Sequence, residues 1–221
     1  MTGDPSARRE LAAALADEVR GIIETLTVAD TPLDALATAT GLARDLRAVL
    51  GGPRRLRWYE AGGPRPDSEA RDAFLDQSPL RGALNPLAPP LELDYVERPD
   101  GTRAVVGRAR LGPAYEGPPH GVHGGYVAAL FDELLGATQA IGGSVGVTAR
   151  LTIRYRHVTP VDEDLRFEGW VEDQHGRRIV AHATCHAGDT LTAEAEALFL
   201  SVDFEEVEAR MMERRAANPD E

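Results

Sequence analysis

The stretch HGGYVAALFDELLG, residues 123–136, decides the fold prediction for this chain. Its apolar residues recur at spacings of three and four, which predicts an amphipathic helix. The expected buried stripe consists of Val127, Leu130, Phe131, Leu134 and Leu135. Gly124 and Gly125 open the helix, so unblocked backbone N–H groups and the positive end of the helix dipole face any group that gains negative charge. Asp132 adds an acid, base or nucleophile on the same helix.

Short alternating segments on both sides of this helix predict strands. LELDYVE (91–97) and RAVVGRARLG (103–112) precede it, and LRFEGWVED (165–173), RIVAHATCHA (178–187) and LTAEAEALFL (191–200) come later. The clearest alternation follows the helix: Val147, Ala149, Leu151, Ile153 and Tyr155 alternate with Thr148, Arg150, Thr152, Arg154 and Arg156, which predicts one core face and one polar face. One helix can cover so many strands only if the sheet curls around it. The expected fold class is α+β.

The ends of the chain differ from this middle part. Residues 6–50 show helical periodicity with a break at 30–32, and Pro, Gly and Arg dominate from 53 to 90. A charged segment, FEEVEARMMERR, predicts a final helix. We therefore expect an N-terminal helical extension with a connecting segment (1–83), a central domain (84–204) and a charged C-terminal helix or tail (205–221).

Composition limits the class of partner. The net charge of −12 argues against nucleic acid and anionic membranes, and no apolar run reaches membrane-spanning length. LDALATATGLARDL (33–46) has a passing similarity to a helix-turn-helix, but residues 1–50 hold five Arg against eight acids, which disfavours DNA binding. Acids near the start do not fit a signal peptide, so we expect a cytoplasmic protein. Cys185, the only cysteine, is interpreted as core filler.

One helix wrapped by an antiparallel sheet, with HGG at its N-terminus and an Asp nine residues after that His, resembles the hotdog-fold acyl-CoA thioesterases of the PaaI-like group. The likeness covers residues 84–202. It rests on NPLAPPLEL, YEGPPHGVHGG, YVAALFDE, VTARLTIRYRHVTPVDEDL and AEAEALFL in this order. The resemblance implies hydrolysis of an acyl-CoA to free acid and CoA without a metal or redox cofactor.

The resemblance also implies roles for single residues. The backbone N–H of Gly124, alone or with Gly125, would polarise the thioester carbonyl, and Asp132 would act as nucleophile or as general base on water. Thr148 would orient the water or the carboxylate, and His123 would orient the loop or contact the substrate rather than act as base. Asp132 and the adjacent Glu133 lie about equally far from the buried stripe, so only the resemblance selects Asp132.

Further residues are candidates for substrate binding. They are Tyr115, Arg150, Arg177 and Arg178, the arginines because CoA carries phosphates. Gly117 stands where some relatives carry a side-chain amide. His120 and His123 are spaced like metal ligands but lack a Cys or carboxylate partner at suitable separation, so no metal is expected.

The two chemical groups cannot meet within one helix. Gly124 and Asp132 are eight residues apart, about 12 Å of helical rise, whereas both must lie about 3 Å from the reacting atoms. The resemblance implies a homodimer in which an antiparallel second helix brings one subunit's Asp132 to the other's Gly124, with two sites per dimer. A non-catalytic acyl-CoA binding or regulatory module is the alternative, and a hotdog hydratase is weaker. Acyl chain type, dimer or tetramer, and the role of the first 80 residues stay open.

Overall fold

A computed structural model of the chain describes residues 4–52, 75–143 and 146–202. The predicted C-terminal helix, FEEVEARMMERR, lies outside these residues, as do residues 53–74 of the predicted connecting segment. The chain divides into two compact units, Met1–Leu91 with Leu111–Tyr115 and Glu92–Arg110 with Glu116–Glu221. The division at residues 83 and 204 stays a prediction.

Two helices begin the first unit, as predicted: α1 spans Pro5–Val28 and α2 spans Leu33–Val49. Asp4 caps α1, because its carboxylate accepts a hydrogen bond of 3.1 Å from the N–H of Ser6, and Pro5 occupies the first helical position, where no N–H is needed. Among the described residues, no helix is both long and apolar enough to cross a lipid bilayer.

Hydrogen bonds from one arginine join a helix to a loop within the first unit. Ala16 is the buried residue of α1, and Leu11 and Leu26 on the same helix are exposed. Arg20 supplies the main tie, because its guanidinium donates hydrogen bonds of 2.9–3.2 Å to four carbonyl oxygens. These carbonyls belong to Gly82, Ala83, Asn85 and Ala88. The fork of donors on one arginine thus fixes a loop that has no regular secondary structure.

An antiparallel sheet of six strands forms the second unit. The strands are β1 (Glu92–Glu97), β2 (Arg103–Arg110), β3 (Gly146–Tyr155), β4 (Asp164–His175), β5 (Arg178–Ala187) and β6 (Thr190–Ser201). Their order across the sheet is β1-β2-β4-β5-β6-β3, so β1 and β3 are the edges. Every predicted strand is present, and β4 continues two residues further than predicted, to His175.

The helix α3 (Gly124–Gln139) packs on the inner face of this sheet and contacts β2, β3, β4, β5 and β6. Its predicted stripe is buried, which confirms that interpretation of the sequence. The rings of Phe131 and Phe167 pack edge to face, with 5.4 Å between their centroids. The helix approaches closely because small residues line the sheet below it: a Cβ on Gly169 would lie 2.5 Å from the hydroxyl of Thr138. The α+β hotdog architecture predicted from the sequence is confirmed.

The predicted alternation of β3 is wrong at its start, and a β-bulge is the reason. The register with β6 shifts between Thr148 and Arg150, so Ala149 is an extra residue. Thr148 lies opposite Phe199, which is buried, and Leu151 lies opposite the buried Ala197. Because directly opposite residues share a face of the sheet, Thr148 joins Leu151, Ile153 and Tyr155 on the helix side. The expected core face is also only half covered, because β3 is an edge strand.

Candidate active site

A tight turn brings His123 to the start of α3. Glu116 and Val122 pair as an isolated β-bridge, and the N–H of Gly117 donates to the carbonyl of Gly121 at 2.8 Å. A Cβ on Gly117 would lie 2.7 Å from the Cα of His123, closer than real Cβ contacts come. The absence of a side chain at Gly117 therefore allows the turn to close against His123.

His123 is the N-cap of α3, and its imidazole takes part in the cap. Its Nδ1 accepts a hydrogen bond of 3.0 Å from the N–H of Gly125. Because Nδ1 accepts, the proton of the neutral ring is assigned to Nε2. A ring in this state has no free lone pair for proton abstraction. This agrees with the sequence-based interpretation that His123 is not the base.

The N–H groups of the first turn of α3 differ in what they bind. Those of Tyr126 and Val127 donate to the carbonyl of His123 at 2.9 and 3.3 Å, and that of Gly125 donates to the imidazole. Within the described residues, the N–H of Gly124 has no acceptor. Gly124 therefore offers the amide that is available to a negative oxygen, with the helix dipole behind it. The predicted oxyanion role of Gly125 stays a prediction, and it competes with the cap.

Asp132 lies two turns further along α3 and is exposed. The hydroxyl of Thr148 donates to its Oδ1 at 2.9 Å. The neighbouring Glu133 is half-buried. A carboxylate oriented by one hydroxyl and otherwise open to solvent is suited to attack a carbonyl carbon or to take a proton from water. The structure thus brings together two of the residues that the resemblance selects.

A hydrogen bond that the sequence pattern does not indicate joins β3 to the N-terminal end of α3. The hydroxyl of Tyr155 donates to the carbonyl oxygen of Gly124 at 2.8 Å. A Cβ on Gly124 would lie 3.3 Å from that hydroxyl, so ring and glycine are in close contact. The alternation of β3 predicts Tyr155 on the core face, and the structure places it there, opposite the buried Ala193. A tyrosine at the end of such a face needs a partner for its hydroxyl, and that need was the available signal.

Gly124 and Asp132 stay apart within one chain. Eight residues of α3 separate them, which is about 12 Å of rise. The N–H of Gly124 and the carboxylate of Asp132 therefore cannot contact one carbonyl group within a single chain.

The other substrate-binding candidates lie in different places. Arg150 points to the outer face of the sheet, where it pairs with Glu196 at 3.1 Å. Arg177 donates through Nε to the carbonyl of Ser201, Arg178 begins β5 in an exposed position, and Tyr115 ends a 3₁₀ helix of the first unit. The described contacts of Arg150 and Arg177 do not involve Asp132 or Thr148. Their roles in binding CoA stay predictions.

Two further groups bear on the chemistry. Among the described residues, no three His, Cys, Asp or Glu side chains gather so as to hold a metal ion. Cys185 is fully buried on β5, and burial raises the pKa of its thiol to about 11, although a hydrogen bond involving Thr192 opposes the rise. At neutral pH this thiol is protonated, so it is no nucleophile. The interpretation of Cys185 as core filler agrees with this geometry.

Comparisons with known proteins bear on the same region. Residues 120–194 match the thioesterase superfamily. The human acyl-coenzyme A thioesterase THEM5 is 30% identical over 97 residues, which are 43% of this chain and 39% of that protein. The mouse acyl-coenzyme A thioesterase THEM4 is 35% identical over 92 residues, 41% of this chain and 40% of that protein. The matched residues thus span less than half the length of these relatives.

A solved structure matches over a longer range. The crystal structure of a thioesterase superfamily protein superposes with a TM-score of 0.72 and 28% identity, covering 86% of this chain and 90% of that one. This coverage exceeds what the second unit alone can supply, so the match includes part of the first unit. The resemblance to hotdog thioesterases drawn from the sequence is confirmed.

Proposed function

We propose that this chain, whose residues 120–194 match the thioesterase superfamily, hydrolyses acyl-CoA thioesters to free acid and CoA. One observation carries the proposal: on a single helix of that fold, the N–H of Gly124 has no acceptor in the part of the chain that the structure describes, and the Thr148 hydroxyl orients Asp132 through a hydrogen bond of 2.9 Å. These are the two functions that thioester hydrolysis needs, a donor for the developing oxyanion and a group that delivers oxygen to the carbonyl carbon. Membership of the PaaI-like group is part of the proposal.

The reaction follows from these groups. An oxygen attacks the carbonyl carbon of the thioester, the carbonyl oxygen gains negative charge, and the N–H of Gly124 binds it. The C–S bond then breaks, CoA leaves as a thiolate that takes up a proton, and the acid remains. If Asp132 is the general base, the attacking oxygen comes from water, which loses its proton to the carboxylate. If Asp132 is the nucleophile, an anhydride forms first and water then hydrolyses it.

The proposed active form is a homodimer, or a tetramer built from such dimers. Gly124 and Asp132 of one chain are too far apart to act on one carbonyl, whereas two antiparallel copies of α3 bring each Gly124 to the other copy's Asp132. Among the described residues β3 pairs with β6 on one side only, so its other edge offers backbone groups that a second copy can meet. The single chain is therefore interpreted as half of each site.

The proposed partner is an acyl-CoA, in a cytoplasmic setting, with no metal or redox cofactor, nucleic acid or membrane. The net charge of −12 opposes the phosphates of CoA in the mean field, so arginines near the site would have to overcome it locally. Arg150 is already paired with the carboxylate of Glu196, whereas Arg177 donates to a neutral backbone carbonyl, that of Ser201, so Arg177 and Arg178 are the better candidates. If a double substitution of Arg177 and Arg178 leaves the KM for acyl-CoA unchanged, neither residue binds CoA.

The proposal is tested by incubating the purified protein with short, long and aryl acyl-CoAs and a thiol reagent. We expect release of CoA, and we expect Asp132→Asn to lower kcat by about 10²–10⁴-fold. Asp173→Asn, which changes another exposed carboxylate of the second unit, is the control and should keep full activity. Binding of acyl-CoA without release would favour the alternative, a non-catalytic binding module. Undiminished turnover by Asp132→Asn would overturn the role of Asp132.

A further inference from the structure

We propose that Tyr155 is a positioning residue that acts through the Gly124–Gly125 peptide to hold His123 as a second N–H donor to the substrate's carbonyl oxygen. This inference rests on the proposed function. It adds Tyr155 to the oxyanion half of the site and assigns the ring proton of His123 to Nε2.

Three groups form a continuous chain of hydrogen bonds. The hydroxyl of Tyr155 donates to the carbonyl oxygen of Gly124 at 2.8 Å. The same peptide unit carries the N–H of Gly125, which donates to Nδ1 of His123 at 3.0 Å. The imidazole ends the chain with its Nε2–H. All the donors point in one direction, from the strand through the peptide to the ring.

The direction of the chain matters, because hydrogen bonds in series strengthen one another. A donor on the carbonyl of a peptide makes its N–H a better donor, so Tyr155 favours acceptance by Nδ1 of His123. Acceptance by Nδ1 in turn excludes the Nδ1–H tautomer. Glycines on both sides of the peptide leave its orientation weakly restrained by sterics. A tyrosine from a neighbouring strand supplies the missing restraint.

The imidazole is also held from its other edge. A Cβ on Gly117 would lie 3.0 Å from Cβ and 3.1 Å from Cδ2 of His123, so the ring packs against the bare backbone of that glycine. Its Nε2 has no partner among the described residues, and His123 is exposed. The Nε2–H is thus a fixed and available donor at the N-terminus of α3. The N–H of Gly124 lies in the adjacent residue of the same turn.

Two such donors suit one ligand group. A thioester carbonyl oxygen gains negative charge as the carbon is attacked, and it has room for two hydrogen bonds. A neutral imidazole donates without adding a full positive charge. The inferred oxyanion site therefore consists of one backbone donor from Gly124 and one side-chain donor from His123, with Tyr155 setting the second.

The test compares Tyr155→Phe with Tyr95→Phe. Both tyrosines are 54% exposed and lie on opposite edge strands, so the control removes an equivalent hydroxyl away from the site. We expect Tyr155→Phe to lower kcat about tenfold with little change in KM, which is the pattern of an interaction made in the transition state. Tyr95→Phe should match the parent chain. Equal kcat for all three proteins overturns the inference.

A double-mutant cycle separates positioning from simple structural support. His123→Ser keeps a cap acceptor for Gly125 but lacks the Nε2–H. If Tyr155 acts through His123, Tyr155→Phe causes no further loss of kcat in the His123→Ser background. Losses that multiply in the double variant would show that Tyr155 acts independently and would contradict the proposal.

Nuclear magnetic resonance of the histidine rings supplies a readout that does not depend on turnover. The parent should show one ring, absent in His123→Ser, with its proton on Nε2. Tyr155→Phe should shift that ring toward the Nδ1–H form or a mixture. A parent chain without thioesterase activity would count against the proposed function alone, whereas an unchanged tautomer in Tyr155→Phe overturns the present inference.

Discussion

Thr148 reaches Asp132 at 2.9 Å because Ala149 is an extra residue in strand β3. Without the bulge, regular alternation would place Thr148 on the outer face of the sheet with Arg150 and Thr152, away from α3. The bulge turns it inward, opposite Phe199. An irregularity of one residue thus places a hydroxyl beside the candidate catalytic carboxylate, as bulges near functional sites often do.

The hydroxyl of Thr148 should therefore matter for rate more than for stability. Thr148→Val removes the donor and keeps the shape, so we expect kcat to fall about tenfold while the melting temperature changes little. Thr152→Val is the control, because Thr152 lies opposite Glu196 on the outer face. Steady-state kinetics with an acyl-CoA that the parent hydrolyses gives the comparison. Equal turnover by both variants would contradict the role given to Thr148.

A site shared between two chains predicts complementation. Gly124→Pro removes the N–H at the first helical position, where the backbone accepts proline. Its Cβ would lie 3.3 Å from the hydroxyl of Tyr155, so that side chain must shift slightly. Asp132→Asn removes the carboxylate, and each variant alone should be nearly inactive. A mixed dimer combines the intact Gly124 of one chain with the intact Asp132 of the other.

Co-expression of these two variants should restore about one quarter of the parent's activity, since about half of the dimers are mixed and each holds one intact site. The measurement compares the turnover of the co-expressed protein with that of a control, in which the two variants are folded separately and then mixed at low concentration. Activity no greater than the sum of the single variants would show that the site does not cross between chains.

Gly117 packs against His123, and a substitution there should impair the protein. Gly117→Ala places a Cβ 2.7 Å from the Cα of His123, and backbone cannot yield as a flexible side chain can. We expect a loss of kcat of about tenfold or more together with a stability loss of about 1–3 kcal/mol. Gly41→Ala, on α2 with open space around its Cα, should be neutral or stabilising. Thermal unfolding and turnover of the two variants decide the matter.

The buried cysteine should be silent in thiol assays. With its pKa raised to about 11 by burial, Cys185 is ionised roughly two-hundredfold less at pH 8 than an ordinary thiol of pKa about 8.5. We expect no reaction of the folded protein with Ellman's reagent at pH 8 on the time scale of the enzyme assay, and one equivalent after unfolding in guanidinium. Fast labelling of the folded chain would show that β5 opens readily.

An ion-pair network on the outer face predicts a pH dependence of stability. Burial by itself would raise the pKa of Glu168, but hydrogen bonds from Arg166 and Arg98 outweigh it and leave that pKa below its ordinary value. A lowered pKa means that the carboxylate stabilises the fold above its unfolded pKa and that this contribution is lost as the pH falls through the folded one.

Glu168→Gln should accordingly lower the free energy of unfolding by about 1 kcal/mol at pH 7, a value reduced by the partial exposure of both arginines. The difference from the parent should begin to shrink as the pH falls below about 4.3, the ordinary pKa of a glutamate, and should vanish once the pH lies below the lowered pKa of the folded state. Glu163→Gln, an exposed carboxylate, is the control. Chemical denaturation at the two pH values provides the measurement, and a penalty that persists in acid would point to packing instead of charge.

The parts of this molecule that follow from local pattern could be predicted from the sequence. The helix on residues 124–139 and its buried stripe follow from spacing, and the strands follow from alternation. The contacts that assemble the half-sites depend on register between strands, which alternation alone does not fix. No glycine or proline marks the bulge at Ala149, so the inward turn of Thr148 was not visible. The bond from Tyr155 to Gly124 spans 31 positions of the chain and has no local signature.

Strand β3 touches α3 twice, through Thr148 at the carboxylate and through Tyr155 at the first glycine. The carboxylate of Asp132 and the backbone of Gly124 are therefore both held by one strand, β3, which among the described residues pairs on one side only. A molecule that pairs with the free edge of β3, such as a second subunit, would therefore bind to the strand that contacts both Asp132 and Gly124. Assembly and catalytic competence would then rise and fall together.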